Sequence, residues 1–239
     1  MPYFSIPTTA SHDGIASPLA SIKGLAKPFS VMAQSPMAII ADTDVIMKSA
    51  HRLTASGCGD VVAKVTAVRD WRLAHRVRGE YYGAYAASLA LMSARLVMKN
   101  AELMNPGDEE GLRVLLEALI SCGVAMAIAG SSRPGSGAEH MFSHALDSVT
   151  LKPALHGEKC GLGTIMMAYL YGLDWKRIRD KLKRVGAPTT AEELEIHSED
   201  VVQALVNAKG VRPERYTILQ ERPLNEEYAR KIAEITEVI

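Results

Sequence analysis

The sequence predicts a short α/β segment followed by an all-helical body. Three observations point there. Two strand candidates lie near the start, a short one at Tyr3–Ile6 and a continuous apolar run at Met37–Ala41. The second run, bounded by Pro36 and Asp42, reads as a buried parallel strand. From about residue 50 onward the pattern is helical, punctuated by caps, Gly and Pro, with no convincing strand. The composition is 48% hydrophobic but only 5% aromatic, so the core is aliphatic, which suits packed helices. The expected division is an α/β part over 1–50 and an α-helical part over 51–239. Two strands do not make a stable independent sheet, so the lopsided layout is itself a feature to explain.

In chain order, Tyr3–Ile6 delivers the polar turn PTTASHDG, where an open α/β sheet would present a ligand loop. Thr8, Thr9 and Ser11 supply hydroxyls there, Asp13 a carboxylate, and Gly14 a permissive backbone. An ordinary turn capped by Ser and Asp explains the same residues. Lys23-Gly24 suits a hairpin turn between Ala20–Ile22 and Phe29–Val31. Asp42-Thr43-Asp44 caps a short turn or helix after the second strand. Helices are expected over Thr54–Arg76, over Glu80–Leu103 as far as Asn105-Pro106-Gly107, and over Glu109–Ala129 between Asp108 and Gly130. This last helix is very apolar but carries Glu117, and it reads as buried rather than membrane-spanning. A two-histidine helix follows over GAEHMFSHALDSV, then Glu158–Tyr171 closed by Gly172. Asp174 caps Trp175–Val185, Ser198 caps Glu199–Ala208, and Asn225 caps the last helix.

The chain has 239 residues with 27 basic and 27 acidic side chains, so its net charge is zero. That leaves no electrostatic footprint for nucleic acid or an anionic membrane. The three cysteines, Cys58, Cys122 and Cys160, form neither a CxxC pair nor a disulfide framework. With no signal-peptide pattern, a cytoplasmic location is expected.

The chemistry concentrates in Ser131–Gly163, which holds three of the seven histidines. His140 and His144 are four residues apart, on one helical face. His156 opens the next helix after a break at Pro153. Neutral imidazoles suit a borderline metal such as zinc. The pattern lacks the Glu of a HExxH protease, and spacing alone leaves two readings open. One is a metal site across two helices; the other is a set of core or surface histidines with ordinary hydrogen bonds.

Six motifs taken together carry a resemblance. They are PTTASHDGIAS, AIIADTDVI, SGCGDVVAKVTAVRDW, SSRPGSGAEHMFSHALD, LHGEKCGLGTIMMAYLYG and GAPTTAEEL. The chain closely resembles the archaeal sn-glycerol-1-phosphate dehydrogenases, from about residue 3 to residue 219. These belong to the superfamily of iron-containing alcohol dehydrogenases, glycerol dehydrogenases and dehydroquinate synthase-like enzymes. The implied fold is the C-terminal part of a Rossmann-like dinucleotide domain followed by a helical metal-binding domain. The resemblance implies one zinc per chain, held by Asp60, His140 and His156. It implies NAD or NADP contacts at Thr8, Thr9, Ala10, Ser11 and Ser17. It places Asp13, Asp60 and His144 against the substrate. Three protein ligands with an open position make a catalytic rather than a structural site.

The implied reaction interconverts sn-glycerol 1-phosphate and dihydroxyacetone phosphate with NAD(P)H, which in the family supplies the glycerophosphate backbone of archaeal membrane lipids. His144 is the expected proton relay, with Asp13 as the second candidate. Arg133 is a candidate partner for the substrate phosphate, from charge and nearness in sequence. The family's glycine-rich pyrophosphate loop has no counterpart here, because GSGAEH, GCGD and GLGT do not follow a strand. An N-terminally shortened family member is therefore expected, lacking about 100 residues, most of a small domain. The competing reading is an inactive metal-binding remnant of such an enzyme; a weaker one is a glycerol dehydrogenase. A homo-oligomer is expected, since a sheet missing its first strands exposes an edge and an apolar face.

Overall fold

The structure, a computed structural model, describes residues 1–22, 29–150 and 154–239. Strand β1 (Phe4–Ser5) pairs in parallel with β4 (Ala38–Ile39), in the register Phe4 to Ala38 and Ser5 to Ile39. Strands β2 (Leu19–Ile22) and β3 (Phe29–Met32) form an antiparallel pair. The expected hairpin is thus present as strands, while the Lys23-Gly24 turn and Pro153 lie outside the described residues. The second apolar run is parallel as expected, but it is not buried: Met37 is 65% and Ile40 55% exposed. It has one neighbouring strand among the described residues, Ile39 is half-buried, and Ala41 at its end packs against the helical core. Phe4 and Ile6 of the partner strand region are exposed as well.

Ten α-helices follow among the described residues: α1 (Thr43–Ile46), α2 (His51–Val62), α3 (Lys64–Arg78), α4 (Ala84–Lys99), α5 (Glu109–Ala129), α6 (Ala138–Val149), α7 (His156–Leu170), α8 (Trp175–Arg184), α9 (Ser198–Val211) and α10 (Glu226–Ile235). Asp42, Asp108, Asp174 and Asn225 cap α1, α5, α8 and α10 by accepting a backbone N–H, as their sequence positions predict. Gly130 takes a left-handed φ of 60° to close α5. Ser198 departs from expectation: the N-cap of α9 is His197, which makes no side-chain cap bond.

The helix expected over residues 54–76 is two helices. Between them the Ala63 carbonyl accepts the N–H of Thr66, the N–H of Ala67 and the Thr66 hydroxyl, which tightens the turn and redirects the axis. Helix α4 starts at Ala84 rather than Glu80. The residues before it are held elsewhere: the Tyr81 carbonyl accepts the Trp71 indole N–H, and Glu80 pairs with Arg133.

Helix α5 is long and apolar enough to cross a membrane. Here it is a central core element, with Leu112, Leu115, Leu119 and Cys122 buried against α2 and α4. Each such leucine contributes about 1.5–3 kcal/mol. Helices α2 and α7 cross so closely that side chains would not fit. A Cβ on Gly59 would lie 2.3 Å from the Gly157 carbonyl oxygen, and one on Gly157 would lie 1.8 Å from the Ser56 carbonyl oxygen.

Gly157→Ala is therefore expected to force α7 off α2 and to cost about 1–3 kcal/mol. Urea unfolding measures this; wild-type stability in the variant would contradict the close crossing.

Candidate metal centre

Three constraints bring the site together. The α2–α7 crossing sets Asp60, near the end of α2, beside His156, the first residue of α7. The turn after β1 lies on α2 in the same way: a Cβ on Gly57 would sit 2.0 Å from the Ala10 carbonyl oxygen. Ser56 fastens this contact, donating its hydroxyl to the Ser11 carbonyl at 3.1 Å and accepting the Gly157 N–H at 3.2 Å. Helix α6 is held at its N-terminus by Asp70 of α3. That buried carboxylate accepts the Ala138 N–H at 2.7 Å, the Ile218 N–H at 2.7 Å and the Tyr171 hydroxyl at 2.5 Å. It anchors the first turn of the helix that carries His140.

Asp60 is fully buried and lies at the centre. Its Oδ1 is 3.6 Å from His140 Nε2 and 4.0 Å from His156 Nε2. Its Oδ2 accepts the Asp13 backbone N–H at 2.7 Å. Lys64, one turn along from Asp60, bridges two carboxylates, at 2.8 Å from Asp60 Oδ1 and 2.8 Å from Asp13 Oδ2. His140 Nδ1 is engaged by Glu139 at 2.9 Å, which leaves Nε2 facing Asp60. Glu139 is itself buried and also accepts the Thr66 hydroxyl at 2.7 Å and the Gly137 N–H at 2.6 Å. The ligand atoms of Asp60, His140, His156 and Cys160 all lie within 4.8 Å of one another. A carboxylate and two imidazole nitrogens converging at this range, with a carboxylate behind one imidazole, fit a divalent cation.

The charges agree with that reading. Burial alone would raise the Asp60 carboxyl, but Lys64, His140 and His156 outweigh it and hold it well below the usual range. Burial opposes the Lys64 charge, yet Asp13 and Asp60 hold its ammonium well above the ordinary lysine value. Burial, then Asp60, pushes the Asp13 carboxyl up. His140 is raised well above the usual imidazole value despite burial, by Cys160, Asp60 and Glu139. His156 is lowered, first by burial and then by His140. Burial, followed by His140 and Arg212, lowers His144 to about 4, so it is a neutral imidazole at pH 7.

The residues expected from the sequence fall into three groups. Asp60, His140 and His156 converge, and His144 lies beside them with its ring tilted and its centroid 6.2 Å from that of His156. Asp13 joins them through Lys64 and its own N–H. The turn from Thr8 to Ser11 runs alongside: Thr8 is exposed, Thr9 half-buried with its hydroxyl 3.5 Å from that of Ser11, and Ala10 buried on Gly57. Ser17 is buried and its hydroxyl accepts the Leu19 N–H at 3.0 Å. Arg133 does not serve the site. Its guanidinium forks onto both Glu80 oxygens and donates to the Tyr216 carbonyl at 2.9 Å. Its three guanidinium nitrogens each bond to protein groups and the side chain is buried, so it is corrected from phosphate partner to a brace on the loop before α6. Lys64 and Glu139 escaped the sequence reading. The i, i+4 spacing of Asp60 and Lys64 was the available signal for the first; a carboxylate adjacent to His140 gave none, because neighbours on a helix point apart.

Comparison with known proteins fits this geometry. Residues 1–50 match the family model described as iron-containing alcohol dehydrogenase. The whole chain is 59% identical to the NAD(P)+ glycerol-1-phosphate dehydrogenase of Thermococcus sibiricus, covering 68% of that enzyme. It is 55% identical to the corresponding enzyme of Methanosarcina barkeri, covering 67% of it. Among solved structures, 99% of the chain superposes on 63% of the glycerol dehydrogenase of Schizosaccharomyces pombe, with a TM-score of 0.77 and 21% identity. A probable glycerol dehydrogenase from Sinorhizobium meliloti gives a TM-score of 0.80 at 18% identity, over 99% of this chain and 70% of that one. At such identities these two speak for the fold alone. Fold and site define an oxidoreductase of the iron-containing alcohol dehydrogenase class, a metal-dependent group. Within it, the chain belongs to the family of NAD(P)-dependent glycerol-1-phosphate dehydrogenases.

Two outcomes are expected. Glu139→Gln removes the charge behind His140 and lowers metal affinity about 10–100-fold while the fold persists; a chelator competition series measures it, and unchanged affinity would contradict the role. His140, raised above its unfolded value, carries a proton in the metal-free protein, which an incoming cation displaces. Metal affinity is then expected to rise with pH by about tenfold per unit below the folded His140 pKa. Calorimetry in buffers of different ionisation enthalpy reads the proton released, and none released would contradict this assignment.

Proposed function

We propose that this chain reduces dihydroxyacetone phosphate to sn-glycerol 1-phosphate, reversibly, with NADH or NADPH, for archaeal membrane glycerophospholipid synthesis. The observation that carries the reading is the convergence of Asp60, His140 and His156 with Asp13 and His144 beside the turn from Thr8 to Ser11. Residues 51–239 act as the metal- and substrate-binding body, and residues 1–50 as part of the nucleotide-binding one. Asp60, His140 and His156 would hold one zinc ion per chain. A divalent metal there would supply a Lewis acid for the carbonyl oxygen, and the nicotinamide would supply the hydride.

The protein's own part is placement and proton control. The exposed Thr8, with Thr9, Ala10, Ser11 and Ser17, orients the cofactor at the edge where Asp13 turns inward. Lys64 keeps Asp13 and Asp60 at one site against their mutual repulsion. His144, neutral and beside His156, relays a proton: one ring nitrogen gives its N–H proton to the substrate oxygen, directly or through water, as the other takes a proton from solvent water, and Asp13 supplies the alternative route. Such a protein works in the cytoplasm as a homo-oligomer, without nucleic acid or membrane insertion; the exposed apolar side chains of Phe4, Ile6, Met37 and Ile40 favour association.

The test is NADH and NADPH oxidation with dihydroxyacetone phosphate, followed by stereochemical analysis of the product. Turnover yielding sn-glycerol 1-phosphate, with none on glycerol and NAD+, is the expected result. The reverse preference would overturn the substrate assignment. His144→Ala is expected to keep its metal and lose about 100-fold or more in turnover. His156→Ala is expected to lose the metal, and full metal content in that variant would overturn the ligand set.

A further inference from the structure

His12 is exposed, yet it is held in place from three sides. Its backbone is fixed before and after: the Ser11 carbonyl accepts the Ser56 hydroxyl at 3.1 Å, and the Asp13 N–H donates to Asp60 Oδ2 at 2.7 Å. Its ring folds back over Gly14, whose N–H donates to His12 Nδ1 at 3.0 Å. A Cβ on Gly14 would lie 2.4 Å from the ring's Cε1, so the missing side chain is what makes room for the imidazole. An accepting Nδ1 puts the proton of the neutral ring on Nε2. That N–H bonds to no protein group among the described residues. The ring stands beside the candidate metal centre, edge-on to His156 at 83° with centroids 6.2 Å apart. A fixed, exposed side chain with a spare donor at the edge of a site has the form of a preorganised ligand contact.

We propose that the Nε2–H of His12 donates a hydrogen bond to a phosphate oxygen of the triose phosphate substrate. This rests on the glycerol-1-phosphate reading above. The reacting end of the substrate belongs with Asp60, His140, His156 and His144, which are buried or half-buried. The phosphate is the more strongly hydrated end, and its place is the open edge where His12 stands. Arg133 is already committed to Glu80 and Tyr216 and does not compete for that group. The neighbouring Asp13 carboxylate has its charge compensated by the Lys64 ammonium at 2.8 Å. A hydrogen bond to an ionised oxygen is about twice as strong as one between neutral groups, so a single aimed N–H orients the phosphate effectively. Capping the short turn Asp13–Ile15, the other role of His12, does not require an imidazole. An Asn there offers its side-chain oxygen to the Gly14 N–H in the same kind of turn, but its amide is too short to place an N–H where Nε2 lies.

The experiment titrates the zinc-loaded full chain with sn-glycerol 1-phosphate by calorimetry, the wild type alongside His12→Asn and His12→Ala. His12→Asn is expected to keep its zinc and its Tm and to bind sn-glycerol 1-phosphate about tenfold or more weakly, the usual worth of a hydrogen bond to a charged group. His12→Ala loses the cap as well, and is expected to bind at least as weakly with a lower Tm. In the wild type, NMR of the histidine ring nitrogens is expected to show His12 as the Nε2–H tautomer, with that signal shifting as the ligand is added; His12→Asn identifies the signal by its absence. Wild-type affinity in a folded His12→Asn protein overturns the proposal and leaves the substrate reading standing. A loss confined to NAD+ binding, titrated in parallel, assigns the ring to the cofactor's phosphates and overturns it too. A folded, zinc-loaded wild type that binds no sn-glycerol 1-phosphate overturns the substrate reading and this inference with it.

Discussion

The structure depends on one buried carboxylate. Asp60 has no exposure to water, and an ionised carboxylate in that position is costly unless it is paired and hydrogen-bonded. It is paired by Lys64, bonded by the Asp13 N–H, and faced by two imidazoles. Each of those partners comes from a different part of the chain: α3, the turn after β1, α6 and α7. Satisfying Asp60 therefore fixes the relative positions of four segments. The same convergence makes the site attractive to a dication, because the carboxylates of Asp13, Asp60 and Glu139 exceed the fixed positive charge of Lys64.

Close backbone approach is what allows this. Gly57 admits the Ala10 carbonyl, and Gly59 and Gly157 admit each other's helices. The motif SGCGD thus has a steric meaning at each glycine and a chemical one at its aspartate. Behind the candidate ligands stands a second set of buried groups. Glu139 fixes the His140 ring, Thr66 fixes Glu139, and Asp70 pins the first turn of α6. That supporting layer allows His140 to be oriented without a metal in place.

Much of this was legible in the sequence. The helix caps at Asp108, Asp174 and Asn225 act locally, through bonds to an N–H three residues on, so local pattern sufficed. The candidate metal triad was less so. Spacing gathered His140, His144 and His156 and left a metal site across two helices open beside ordinary hydrogen-bonded histidines; Asp60, and the division of the histidines into ligands and a substrate contact, entered through resemblance. The reason is that Asp60 and His156 meet through tertiary packing of distant helices, which no periodicity encodes. The misassigned Arg133 shows the same limit, since its partners Glu80 and Tyr216 are far along the chain in either direction. The exposed Met37–Ala41 run failed differently. An apolar strand records that something is meant to cover it, not that the cover is among the described residues.

The central claim is that a single carboxylate organises the site and lends it to a metal. Thermal unfolding with and without saturating zinc, in the wild type and in Asp60→Asn, tests this most directly. A ligand that binds only the folded state raises its stability by mass action. Zinc is predicted to raise the wild-type Tm and to leave that of the folded Asp60→Asn protein unchanged. An equal zinc-induced rise in both proteins would contradict the account.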